Sequence, residues 1–143
     1  MASTPRLAYF LLSLGSRMSV VPHASRRILV VAADDNFSGT IGRILCRCGY
    51  TIDRVASGEA AISALDQHSY DLVLSEVALP GVCGLTVLCS ARQQGRKTPF
   101  VLFGTPESER RRWIVSGVED VHCLPLPLDV DRLKQVVAQC LEA

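Results

Sequence analysis

The chain has 143 residues, 48% of them hydrophobic and 20% charged, with a formal net charge of +1. That length suits one domain and can bury a real core, while so small a net charge gives no whole-molecule reason to bind nucleic acid or a membrane surface. Six cysteines (Cys46, Cys48, Cys83, Cys89, Cys123 and Cys140) lie scattered through apolar stretches without C-x-x-C spacing; they read first as small buried hydrophobes in a reducing compartment, with zinc or disulfide use as the alternatives.

Residues 1–25 differ from the rest. An apolar patch at 8–14 lies between Arg6 and Arg17. It is too short to span a bilayer, and no convincing small-residue cleavage site follows. A disordered leader or a translation start placed too early is expected, with a docking helix and an export signal as alternatives.

From Arg26 the pattern becomes regular. Residues 27–31 form a β-rich apolar run. Asp34, Asp35 and Asn36 offer N-cap chemistry. Phe37, Ile41, Ile44, Leu45 and Cys48 then recur on one helical face, and Gly49 closes the helix. Residues 50–55 alternate and predict a second, less buried strand. Ser57 caps a helix reaching Leu65, with Ala61 and Leu65 inward.

The stretch YDLVLSEVALPGVCG at 70–84 contains a third strand. Its continuous apolar run predicts burial on both faces, as in a parallel sheet. Glu76 stands at its carboxyl end, where open parallel sheets place ligands and chemistry. Leu85, Leu88 and Cys89 mark a third helix ending near Gly95. A fourth strand covers 98–104. A fourth helix at 107–115 has Trp113 and Ile114 as its contacts, and Arg110, Arg111 and Arg112 as its solvated face rather than a nucleic-acid patch. A short fifth strand covers 120–125. A last helix covers 129–141, with Val130, Leu133, Val137 and Cys140 inward and Val136 and Leu141 flanking. His23, His68 and His122 show no ligand spacing. Five alternations predict a flavodoxin-like α/β fold: a (βα)5 doubly wound parallel sheet of strand order 2-1-3-4-5, filling 26–143 as one domain.

The blocks RRILVV, GYTIDRVASGEAAISAL, YDLVLSEVALPGVCGL, TPFVLF and LPLPLDVDRL, spaced without gaps across 26–142, resemble the receiver domain of bacterial two-component response regulators (the CheY-like fold). The resemblance implies a phosphorylation site of five side chains. Two acids after the first strand hold magnesium together with the phosphoacceptor. An aspartate nucleophile ends the third strand, a Thr or Ser the fourth, and a lysine precedes a proline after the fifth. A small hard cation wants carboxylate oxygens, and a carboxylate attacks phosphorus only where the developing negative charge is neutralised. At those five positions this chain has Ala32, Ala33, Glu76, Gly104 (with Thr105 beside it) and Leu126. Asp34 and Asp35 fall one and two places late.

The expectation is therefore a degenerate or pseudo-receiver with no catalysis, no metal and no cofactor, magnesium affinity being very low. It is expected to work in the cytoplasm as a stand-alone signalling module through protein–protein contact. The partner would be a histidine kinase, another response regulator or a second copy, with no nucleic acid and no membrane involved. The alternative is a working phosphoacceptor that uses Glu76, or Asp34 and Asp35 bent into the pocket, with a divalent metal. Glu76 is expected in a poorly solvated, locked pocket, against imitation of the phosphorylated form or plain exposure. The partner face that the resemblance implies includes Trp113, Val118, Val121 and Cys123; for Trp113 a core position is the competing reading. Flavin or nucleotide binding on the same fold lacks a phosphate-cradling glycine loop.

Overall fold

The computed structural model describes residues 25–104 and 119–142. The readings for the leader at 1–24, the helix at 107–115, Thr105, the run Arg110 to Arg112, Trp113 and Val118 lie outside the described residues. Five strands, β1 (Arg27–Val31), β2 (Thr51–Val55), β3 (Leu72–Glu76), β4 (Phe100–Phe103) and β5 (Val121–Leu124), pair in parallel in the order β2-β1-β3-β4-β5. The described helices are α1 (Asp35–Arg47), α2 (Gly58–Gln67), α3 (Gly84–Gln93) and α4 (Val130–Glu142). The expected fold and strand order are those observed.

The two-residue period of the strands explains the layering. Ile28 and Val30 of β1 face one core with Ile41 and Leu45 of α1 and Leu133 of α4. Leu29 and Val31 face the other, with Leu65 of α2 and Leu88 of α3. β1, β3 and β4 are buried nearly throughout, whereas no residue of β2 is, in keeping with the less buried strand that its alternation predicts and with its place at the edge of the sheet.

The helix ends follow local chemistry. Asp34 Oδ1 accepts from the Asn36 and Phe37 amides at 2.8 and 3.1 Å, which satisfies donors that the first turn leaves free. Ser57 Oγ accepts from the Ala60 amide at 3.1 Å. Gly49, just past the end of α1, has a φ of +101° that favours glycine.

Three expectations need correction. Cys46, Cys48 and Cys89 are exposed and only Cys123 is fully buried, because the first three sit on outer faces or past helix ends. Cys48 caps α1 instead of extending it. On α4 the stripe that meets the sheet is Leu133, Val136, Val137 and Leu141. Cys140 packs only partly buried at its margin, and Val130 is exposed at the helix's open end. Among the described residues, no helix is long and apolar enough to cross a membrane.

Candidate functional site at the carboxyl end of the sheet

Register brings the strand ends level. Val31 lies beside Ser75, Glu76 beside Phe103, and Phe103 beside Leu124. The residues that follow β1, β4 and β5 therefore gather around the end of β3. Ala32 is buried and Ala33 exposed. The Ala33 amide donates to Glu76 Oε1 at 2.9 Å. Glu76 is half-buried and forms no ion pair among the described residues. The expected poorly solvated carboxylate is thus corrected: solvent reaches Glu76 and a backbone donor holds it, because the loop after β1 turns its amide toward β3.

Gly104 follows β4 with a φ of +85°, and its amide donates to Leu124 O at 2.9 Å. A Cβ there would stand 3.7 Å from Leu126 Cδ1. Leu126, 49% exposed, thus lies beside Gly104 at the end of the sheet. The Leu126–Pro127 peptide is cis. Below the strand end, the fully buried Ser75 hydroxyl donates to the Glu76 carbonyl at 2.8 Å. A Cβ on Gly84 would collide with that same carbonyl oxygen.

The two late acids are engaged elsewhere. Asp34 is spent on the α1 cap. Asp35, its side chain 91% exposed, pairs with Arg54 at 3.2 Å. Arg54 belongs to β2, on the far side of β1 from β3. Ala32, Ala33, Glu76, Gly104 and Leu126 are brought together; Asp34 and Asp35 are not brought to them. What the arrangement holds is one carboxylate, one amide donor and apolar walls. Among the described residues, no group of three His, Cys, Asp or Glu is placed to hold a metal ion.

The face expected to meet partners needs a similar correction. Val121 and Cys123 are 1% and 2% exposed, because alternate β5 side chains turn into the core. Among the described residues of that face, Pro125, Leu126 and Pro127 are exposed.

Sequence reasoning missed the Ala33 amide, the Ser75 hydroxyl and Gly84. Only Gly84 left a signal, a glycine opening a helix directly after a turn. It also missed a polar tie at the opposite end of the sheet. There the Tyr70 hydroxyl donates to Asp53 Oδ2 at 2.7 Å and Arg27 Nη2 donates to the same oxygen at 2.9 Å. Burial first, and then the Asp53 carboxylate, push the Tyr70 phenol up to about 12. At the start of α3 the hydroxyl of Thr86, 3.5 Å away, lowers the pKa of the Cys83 thiol. Burial first, with a smaller contribution from Asp120, pushes the Cys140 thiol up to about 11.

A family model described as the response regulator receiver domain matches residues 28–138. The transcriptional regulatory protein TcrA of Mycobacterium tuberculosis is 33% identical over 105 residues, which cover 72% of this chain and 42% of that protein. The regulator of RpoS of Escherichia coli K12 is 29% identical over 122 residues, covering 84% of this chain and 36% of its own length. The chain thus spans less than half the length of these curated relatives. Among solved structures, the signal receiver domain of an HD domain-containing protein from Pseudomonas fluorescens superposes with a TM-score of 0.73 at 26% identity, over 83% of this chain and 96% of that one.

Proposed function

This chain belongs to the response regulator receiver domain family, and from that premise we propose that it is a contact module of a bacterial two-component pathway that phosphorylation does not switch. The observation that carries this reading is the Glu76 carboxylate, held by the Ala33 amide at 2.9 Å and paired with no cationic side chain among the described residues.

Phosphoryl transfer to a carboxylate needs charge neutralised as it builds. Each preorganised electrostatic contact of that kind is worth roughly 3 kcal/mol. Two alanines supply no side-chain oxygen for magnesium, which needs near-octahedral oxygen ligands, and one Glu76 oxygen is already engaged. The described residues therefore do not fit the ion. Leu126 supplies no positive charge and Gly104 no hydroxyl. The reading with Asp34 and Asp35 as substitute ligands is disfavoured by their engagement with the α1 cap and Arg54.

Receiver domains work through kinases and other regulators. This one is read as doing so in the cytoplasm without chemistry of its own, its partner a histidine kinase, another regulator or a second copy. Incubation with magnesium and acetyl phosphate tests the proposal by intact mass. The expected result is no change. A stable gain of one phosphoryl group overturns it.

A further inference from the structure

Two grooves flank the edge strand β2. One, of about 440 Å³, lies between α1 and β2 and is walled by Gly39, Gly42, Arg43, Arg47, Ile52 and Arg54. The other, of about 540 Å³, lies between β2 and α2, with Ile52, Arg54, Ala60, Ala64 and His68 among its walls. Both include Ile52 and Arg54, so the open edge of the sheet lies between them.

The inner edge of β2 is occupied. The Thr51 amide donates to Arg26 O at 2.8 Å, and Val55 O accepts from the Ala32 amide at 3.2 Å. Alternate residues of a parallel strand bond to the same neighbour. The amide and carbonyl of Ile52 and Arg54 therefore face outward, and among the described residues no strand pairs with them. Such an edge is a template for an added strand.

The groove on the α1 side is basic. A Cβ on Gly39 would stand 3.4 Å from Arg54 Nη1 and 3.9 Å from Arg43 Nη1, so two guanidinium groups converge over a helix surface that carries no side chain. Arg47 lines the same groove. Asp35 pairs with Arg54 at 3.2 Å; Arg43 and Arg47 have no carboxylate partner among the described residues. Guanidinium groups match carboxylates by paired hydrogen bonds.

We propose that the β2 edge docks an acidic, extended segment of a partner protein, which adds beside β2 as a sixth strand and sets its carboxylates on Arg43, Arg47 and Arg54. This partner chemistry presupposes the contact module proposed above. The other occupants fit less well. A second copy paired edge to edge would set three arginines against three. Residues 1–24 of this chain contain Arg6 and Arg17 and no Asp or Glu. A nucleic acid would satisfy the arginines but not the alternating amide and carbonyl groups of the strand edge.

The test is an NMR titration of the isotope-labelled full chain with a capped peptide of alternating glutamate and valine. The expected result is saturable shifts of the Ile52 and Arg54 amides, and binding weakened by about tenfold or more in the Arg43→Glu/Arg47→Glu double variant. A peptide with lysine in place of glutamate, and one N-methylated at alternate residues, should not bind. Unmoved Ile52 and Arg54 amides overturn the proposal. So does equal binding of the N-methylated peptide or of a single-stranded oligonucleotide, or a concentration-dependent dimer that consumes those amides. The peptide arms act on the unaltered chain, so the result does not depend on the variant folding. Failure here leaves the acetyl phosphate result standing, and phosphorylation of the chain leaves the peptide result standing.

Discussion

Gly84 packs directly against the Glu76 carbonyl: a Cβ at Gly84 would collide with that oxygen and stand 3.1 Å from Ser75 Oγ. The loop from β3 to α3 is held down on the strand end, with the Gly84 amide donating to Val77 O at 2.9 Å. Gly84→Ala is expected to cost about 1–3 kcal/mol, since backbone must move to admit the methyl group. The measurement is a lowered urea midpoint at unchanged m. Gly49→Ala is the comparison: its φ is +101° but nothing lies within 4 Å, so only local strain of about 1–2 kcal/mol applies. If Gly84→Ala leaves the midpoint unchanged, this close approach is absent in solution.

Restoring the acceptor alone should restore nothing. Glu76→Asp is expected to remain unlabelled by acetyl phosphate and magnesium, because Ala32, Ala33 and Leu126 still provide neither metal ligands nor positive charge. The combination Ala32→Asp, Ala33→Asp, Glu76→Asp and Leu126→Lys is expected to gain magnesium-dependent phosphoryl mass. Labelling of the single variant would place the missing charge stabilisation elsewhere in the chain. Adding Gly104→Thr should lower stability by about 1–2 kcal/mol, since its φ of +85° disfavours any side chain.

Tyr70 makes stability fall at high pH. Its phenol is raised from 10.0 to about 12 in the folded chain. Below pH 10 both states keep the proton. Between pH 10 and about 12 the unfolded chain releases it first, so folding stability declines as pH rises. Phenolate absorbance should show a tyrosine transition at about pH 12 in the folded chain. Asp53→Asn should bring that transition down, though not fully, because burial remains the largest cause. An unchanged titration in Asp53→Asn would remove the Asp53 contribution.

The cysteines should separate by alkylation rate. Cys46, Cys48 and Cys89 are exposed and should label first in the folded chain at mildly alkaline pH. Cys123 is buried, and the Cys140 thiol is held up at about 11 by burial; both should resist until unfolding. Cys83 should keep reacting to a lower pH than an ordinary thiol, and Thr86→Val should reduce that advantage by removing the hydroxyl at 3.5 Å, its largest cause, while the backbone donors remain. Mass mapping of partly labelled protein reads each rate.

Periodicity carries information about which face of a strand or helix is covered, and here it carried enough to read the sheet. The apolar run at 27–31 marked a strand, the continuous run at 72–74 marked one buried on both sides, and the alternation at 50–55 marked a less buried one. Caps were equally legible, since Asp34, Ser57 and Gly49 act on backbone groups within a few residues. The phase of α4 was not, because Val136 and Cys140 differ little in polarity and only packing against the sheet selects between them. Val121 and Cys123 were misplaced for a related reason: which side of a short strand faces solvent depends on its neighbours.

The order of residues by itself determined the fold, the family and the identity of the five side chains at the strand ends, because these rest on local pattern and spacing along the chain. Only the tertiary structure decided that the Ala33 amide holds Glu76, that Asp34 and Asp35 are spent on a helix cap and on Arg54, and that Arg43 and Arg54 converge beside an open strand edge. Those relations join groups separated by up to 43 residues, and hydrogen bonds and charge depend on distance in space, which spacing along the chain does not specify.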